Sequence, residues 1–141
     1  MINDSTLRTD VWNTIRTWLV STPIYITNST TGSTTAASIE ASYSDKSGRP
    51  QVIIVPISVS EDTFKFSGTR GKRLIDVTVE CYATSTLYTD QLAEKVEDIV
   101  TKAVDSLSGI DLVGITSDYA YCGLTNNKNH LISVTFSFDR E

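Results

Sequence analysis

The chain has 141 residues, a formal net charge of −5, one His, two Cys and three Pro, a length that fits one domain, residues 1–141, rather than two marginal ones. Apolar residues at 40% and charged residues at 21% exclude a disordered polyelectrolyte, and the acidic balance excludes a generally basic nucleic-acid-coating surface. One His and two distant Cys offer no protein-only metal cluster, so neither metal nor cofactor is expected.

The opening segment predicts a helix from about Ser5 to Val20. Leu7, Val11, Ile15 and Trp18 recur at three- and four-residue steps, and Trp12 and Leu19 widen the stripe. Asp4 or Ser5 suits the cap, and Thr22-Pro23 stops the helix. Ile24 to Ile26 reads as a short strand. The polar run Asn28, Ser29, Thr30, Thr31, Gly32, Ser33, Thr34 and Thr35 holds nothing to anchor a core and reads as a mobile surface loop.

Ala37 to Tyr43 reads as a weak strand, followed by a turn through Ser44 to Pro50. Gln51 to Ile57 is one β-branched run, as expected of a strand covered on both faces or at a subunit contact. Thr63 to Phe66 alternates briefly. Ser67, Gly68, Thr69, Arg70, Gly71 and Lys72 suit a hairpin tip. From Arg73 to Ala83 the alternation sends Ile75, Val77, Val79 and Cys81 one way and Asp76, Thr78 and Glu80 the other.

A second helix is expected from about Thr89, its cap, to Leu107, with Gly109 ending it. Leu92, Val96, Ile99, Ala103 and Leu107 form its apolar stripe. Ile110 to Leu124 and His130 to Asp139 then form a strand pair, the second with Ile132, Val134, Phe136 and Phe138 on one side. This order predicts an α+β fold: a largely antiparallel sheet with two amphipathic helices packed on one face. The other face should show Thr, Ser, Asp and Glu.

Catalytic signatures are weak. Gly68 to Lys72 has the wrong glycine spacing for a phosphate loop, Arg73 replaces the magnesium-binding hydroxyl, and a strand rather than a helix follows. His130 is the one possible base of a hydrolytic triad, with Cys122 across the same hairpin, but no nucleophile signature accompanies them. The carboxylates are scattered. The expectation is therefore a protein that is not an enzyme. Arg70, Lys72 and Arg73 form the one local basic group, read either as a solvated tip or as a contact with an acidic neighbour or with nucleic acid. The first ten residues hold two Asp and no apolar run, and the longest apolar stretch, Val52 to Ile57, is far shorter than the ~20 residues of a spanning helix. No membrane partner is expected, and synthesis in the cytoplasm is.

The early amphipathic helix, Arg49-Pro50-Gln51-Val52-Ile53-Ile54-Val55-Pro56, the strand Arg73 to Tyr82, the helix Thr89 to Glu97 and the closing strand pair together resemble the tail terminator (tail completion) proteins of long-tailed bacteriophages and related viruses. Those proteins have a helix opening near T-x-x-A-D-x-L-A; the matching residues here are Thr86, Asp90, Leu92 and Ala93, at altered spacing. The similarity covers most of the chain as a pattern of elements.

The resemblance implies a structural virion protein, a homo-oligomeric ring commonly of six subunits. Such a ring caps the head-proximal end of the tail tube and joins it to the neck or connector. Implied partners are the tail tube protein, the neck/connector protein and genome DNA crossing the lumen without sequence-specific binding. Asn28–Thr35 and Gly68–Arg73 then become interaction segments. The alternatives are a neck or head-closure (head-tail connector) protein, and a small-molecule-binding or enzymatic α+β domain whose pocket between helices and sheet uses Tyr119, Tyr121 and His130.

Overall fold

The apolar stripe of the first segment folds as α1 (Leu7–Ser21), entered through a 3-10 turn at Asp4–Thr6. The computed structural model describes residues 2–41, 50–61, 72–107, 109–121 and 130–140. Leu7, Val11, Ile15 and Leu19 are buried along α1, one residue per turn, as its periodicity requires. The Asp10 carboxylate accepts hydrogen bonds from the Asn3 amide and the Thr6 hydroxyl, both at 2.8 Å. These bonds fold the N-terminal turn back on the helix and hold the Asp10 carboxyl below its usual range.

β1 (Tyr25–Thr27) pairs antiparallel with β2 (Thr34–Ala36) in a separate two-stranded sheet. The main sheet contains β3 (Ser38–Glu40), β4 (Gln51–Ile54), β5 (Ser58–Glu61), β6 (Arg73–Ala83), β7 (Asp111–Tyr121) and β8 (His130–Arg140). Its order is β3-β4-β6-β8-β7, with β5 beside β6 beyond β4. All neighbours are antiparallel except β3 and β4, which run parallel. The fold is α+β, with the mostly antiparallel sheet expected from the pattern of elements.

The expected strand Gln51 to Ile57 ends early: β4 stops at Ile54, and after a three-residue break β5 resumes at Ser58. Ile54 faces Val79 and Ser58 faces Asp76, so Val55, Pro56 and Ile57 lie opposite only Val77 and Thr78. Pro56 has no N–H for the ladder, and the chain absorbs it as one extra residue. The extra residue also flips parity: Val52 and Ile54 share the core face with Val59, not with Ser58 and Ser60. Trp12 Nε1 donates to the Ile54 carbonyl at 3.1 Å, fixing α1 to the end of β4. The expected strand at Thr63 to Phe66 lies outside the described residues.

α2 (Thr86–Ala103) starts one turn earlier than its sequence suggests. Ser85, not Thr89, is the cap: its hydroxyl accepts from the Tyr88 amide at 3.2 Å. Thr89 is buried inside the helix and bonds back to the Ser85 and Thr86 carbonyls. A 3-10 turn (Val104–Ser106) follows, and Gly109, at φ +81°, turns the chain into β7, a backbone region that glycine enters without strain.

The core lies between the helices and one face of the sheet. Ile75, Val77, Val79 and Cys81 of β6 and Val134, Phe136 and Phe138 of β8 meet Leu92, Val96 and Val100 of α2 and the apolar stripe of α1. The opposite face carries a polar ladder. Ser137 donates to Asp76 at 2.7 Å, Thr78 and Thr135 share a hydrogen bond at 3.1 Å, and Tyr82 donates to Glu80 at 3.3 Å. Toward β4 the polar character ends, and Gln51, Ile53 and Tyr82 are buried on that side.

Candidate functional site

The polar run Asn28–Thr35 is the turn and second strand of a hairpin, not one continuous loop. Thr34 and Thr35 belong to β2. Asn28 organises the turn: its side-chain oxygen accepts from the Thr30 and Thr31 amides at 2.9 and 3.1 Å. Its backbone N–H donates to the Ser33 carbonyl and its carbonyl accepts from the Gly32 amide, with Gly32 at φ +73°. The Asn side chain thereby supplies the bonds of a tight turn. Ser29 to Thr35 are exposed. Gln91 of α2 grips the base of this hairpin, accepting from the Thr27 amide at 2.8 Å and donating to its carbonyl at 3.2 Å. Lys95 places its ammonium 4.2 Å from the Tyr25 ring centre.

Of the basic group, Lys72 and Arg73 are described, and they part: one is exposed and the other is buried. Gly68, Thr69, Arg70 and Gly71 lie outside the described residues. Lys72 is exposed and pairs with Asp139 at 2.8 Å. Arg73 is buried, 4% exposed, at the first position of β6. It shares a face with Ile75 and sits beside Arg140, whose guanidinium donates to the Ile2 carbonyl at 3.1 Å. The Arg73 guanidinium therefore belongs to the interior end of the strand. The Asn28–Thr35 hairpin and the Lys72–Arg73 segment occupy different places: one is attached to α2, the other starts the central strand.

Tyr119, Tyr121 and His130 do come together. Tyr119 Oη and His130 Nδ1 are hydrogen-bonded at 2.5 Å, and the Tyr121 ring meets the imidazole edge-on with centroids 5.4 Å apart. The expected location, a pocket between helices and sheet, is not where they sit. Tyr119 is 50% and Tyr121 65% exposed, at the far end of the β7–β8 hairpin. Both project from the helix-side face, because each pairs with a helix-side residue of β8, Tyr119 with Ile132 and Tyr121 with His130.

The register explains why these side chains are uncovered. Leu112 pairs with Phe138 and Gly114 with Ser137, leaving Val113 as an inserted residue. From there Ile115, Ser117, Tyr119 and Tyr121 occupy the helix side. β7 is the last strand of the sheet and is exposed along nearly its whole length. Val113 and Ile115 add to the two tyrosines as exposed large apolar side chains. An eleven-residue edge with apolar side chains and one row of outward backbone groups is a template for pairing with another chain.

At the other end of the sheet, beside β3, an open groove of about 350 Å³ is walled by Leu19, Val20, Pro23, Ala37 and Ile39. Among the described residues of its lining, Arg16 is the charged one. The sequence carried signals for parts of both surfaces: Val20 follows the last core position of α1, and Tyr119 and Tyr121 keep strand spacing. Their exposure depends on sheet order, which no local pattern encodes. Among the described residues, no three His, Cys, Asp or Glu side chains gather as a metal-binding group. Among the described residues, no helix is long and apolar enough to cross a membrane. Neither a protein-family model nor a curated relative matches the chain.

Proposed function

We propose that this chain is the subunit of a closed protein ring of the tail terminator type, capping the head-proximal end of a viral tail tube and meeting the neck or connector. The observation that carries the assembly part of this reading is β7, an open eleven-residue edge strand with four exposed large apolar side chains. An edge of this kind invites a partner chain, and monomeric proteins ordinarily shield theirs. The resemblance in element order supplies the tube end as the place of assembly. In this reading the exposed Asn28–Ser33 turn is a preformed contact loop toward the tube or the neck, since its side chains are presented by a hydrogen-bonded frame.

The test combines light-scattering mass with negative-stain imaging of the protein alone and mixed with purified tail tubes or connectors. The expected result is a ring of about six copies that decorates one end of the tube and stops its growth. Rings that bind connectors and ignore tube ends would assign the chain to the neck instead. A strict monomer that binds neither overturns the reading.

A further inference from the structure

We infer that the ring closes through one repeated head-to-tail contact, in which the aromatic end of β7 of one copy seats in the groove beside β3 of the next. This inference rests on the ring reading above and names its two complementary surfaces. β7 and β3 are the opposite ends of one sheet order, so each copy presents two different patches on opposite sides. Such an interface adds subunits in one rotational sense and ends when the ring closes, whereas a patch that meets itself stops at two copies.

The faces match. Tyr119 and Tyr121 project from the helix side of β7, and the groove opens on the α1 side of the sheet, under Leu19 and Val20. Where neighbouring copies keep their helix layers on a common side, the tyrosines of one arrive at the α1 rim of the next. β3 and β7 also run in opposite directions, by the chain of pairings β3-β4-β6-β8-β7. Side-by-side copies in the same orientation therefore meet edge to edge in the antiparallel sense.

The side-chain chemistry matches as well. β7 carries no Lys or Arg, and its two aspartates, Asp111 and Asp118, lie on the face away from the tyrosines, while Arg16 is the charged residue among those described on the groove lining. The tyrosine rings themselves suit a guanidinium, which is attracted to an aromatic face. The hydrogen bond between Tyr119 and His130 and the edge contact of Tyr121 fix both rings before docking, which lowers the entropy lost on association. Tyr and Arg are the residue types that most often dominate an interface. The occupant of the groove is thus a second copy of this chain.

Two variants test the contact, Tyr119→Ser/Tyr121→Ser on the strand and Arg16→Glu/Val20→Glu on the groove rim, each first checked for a native circular dichroism spectrum and melting transition. All four side chains are exposed, so the fold is expected to persist. If a double variant does not fold, the single changes Tyr121→Ser and Val20→Ser replace it and should each raise the concentration needed for assembly at least tenfold. Light scattering should give rings for the wild type and monomers for each double variant. An equimolar mixture of the two variants retains one intact β7 and one intact groove, so it should yield a dimer near 31 kDa, twice the 15.5 kDa chain, and nothing larger. A mixture that stays monomeric, a groove variant that still dimerises, or rings that survive both variants each overturn this contact while the ring reading stands. A wild-type chain that never forms rings overturns both.

Discussion

At the scale of single residues, Cys81 shows how completely the helix layer covers the sheet. Its thiol is pushed up to about 12, chiefly because burial disfavours the thiolate, with the charges of Glu97 and Glu80 adding to the effect. The thiolate is the nucleophile, so Cys81 should resist alkylation at pH 8 in the folded protein and react on denaturation. In a Cys122→Ser variant, which leaves Cys81 alone, fast stoichiometric labelling without denaturant would contradict the buried position. The same shift sets a pH dependence. Above about pH 9 the unfolded chain loses this proton while the folded chain keeps it, so stability falls as pH rises from about 9 to about 12. A urea series across that window should show a steeper loss for the Cys122→Ser protein than for the same protein with Cys81→Ala, whose overall stability is lower. Arg73 belongs to the same row. Alternation with Ile75, Val77, Val79 and Cys81 already placed it on the core face, and only its charge suggested the surface. Position was the better guide, because period-two geometry applies to every residue of a strand, whereas a charged side chain is tolerated inside when it reaches partners.

At the scale of elements, legibility followed periodicity. β6 begins and ends where its alternation does, at Arg73 and Ala83, and β8 runs one residue past its expected end. The failures have a common cause in inserted residues and caps. The break at Pro56 between β4 and β5 and the inserted Val113 within β7 each add one residue and reverse which positions face the core, and an apolar run such as Gln51 to Ile57 conceals the reversal. Residue type does not locate the start of α2, because Ser85 and Thr89 are both competent caps and only the hydrogen bond to Tyr88 distinguishes them. Ser85→Ala should therefore destabilise the protein by about 1 kcal/mol, read from the urea midpoint at constant slope. Thr27 offers a second check. Gln91 holds both its N–H and its carbonyl, the side-chain clamp joining β1 to α2. Gln91→Ala should loosen the β1–β2 hairpin selectively, so that the Thr27 amide exchanges at least tenfold faster while the β6 and β8 amides keep their rates. A uniform acceleration across the sheet would show instead that the clamp supports the whole domain.

At the scale of the whole molecule, the sheet is asymmetric in a way that no local pattern could disclose. Sequence-distant pairings bring β8 against β6 and leave β7 outside it, so a strand with ordinary β composition becomes the edge of the described sheet. Among the described residues β7 bonds to β8 on one side only, and in an antiparallel ladder every second amide of such a strand points outward. At ~3.4 Å per residue the eleven residues expose roughly 35 Å of edge. Its guards are modest: two aspartates, one inserted residue and no proline. Natural edge strands of this length are ordinarily shortened, charged or covered. The economical account is that β7 is covered in the assembled state, and this makes a prediction needing no substitution. Amide exchange should be measured below and above the concentration at which the proposed ring would assemble. The outward amides of β7 should exchange quickly in the dilute monomer and slow at least tenfold in the ring, while the inward amides bonded to β8 change little. Protection confined to the Asn28–Ser33 turn, with β7 unchanged, would place the subunit contact on the hairpin and leave the edge strand open to another partner.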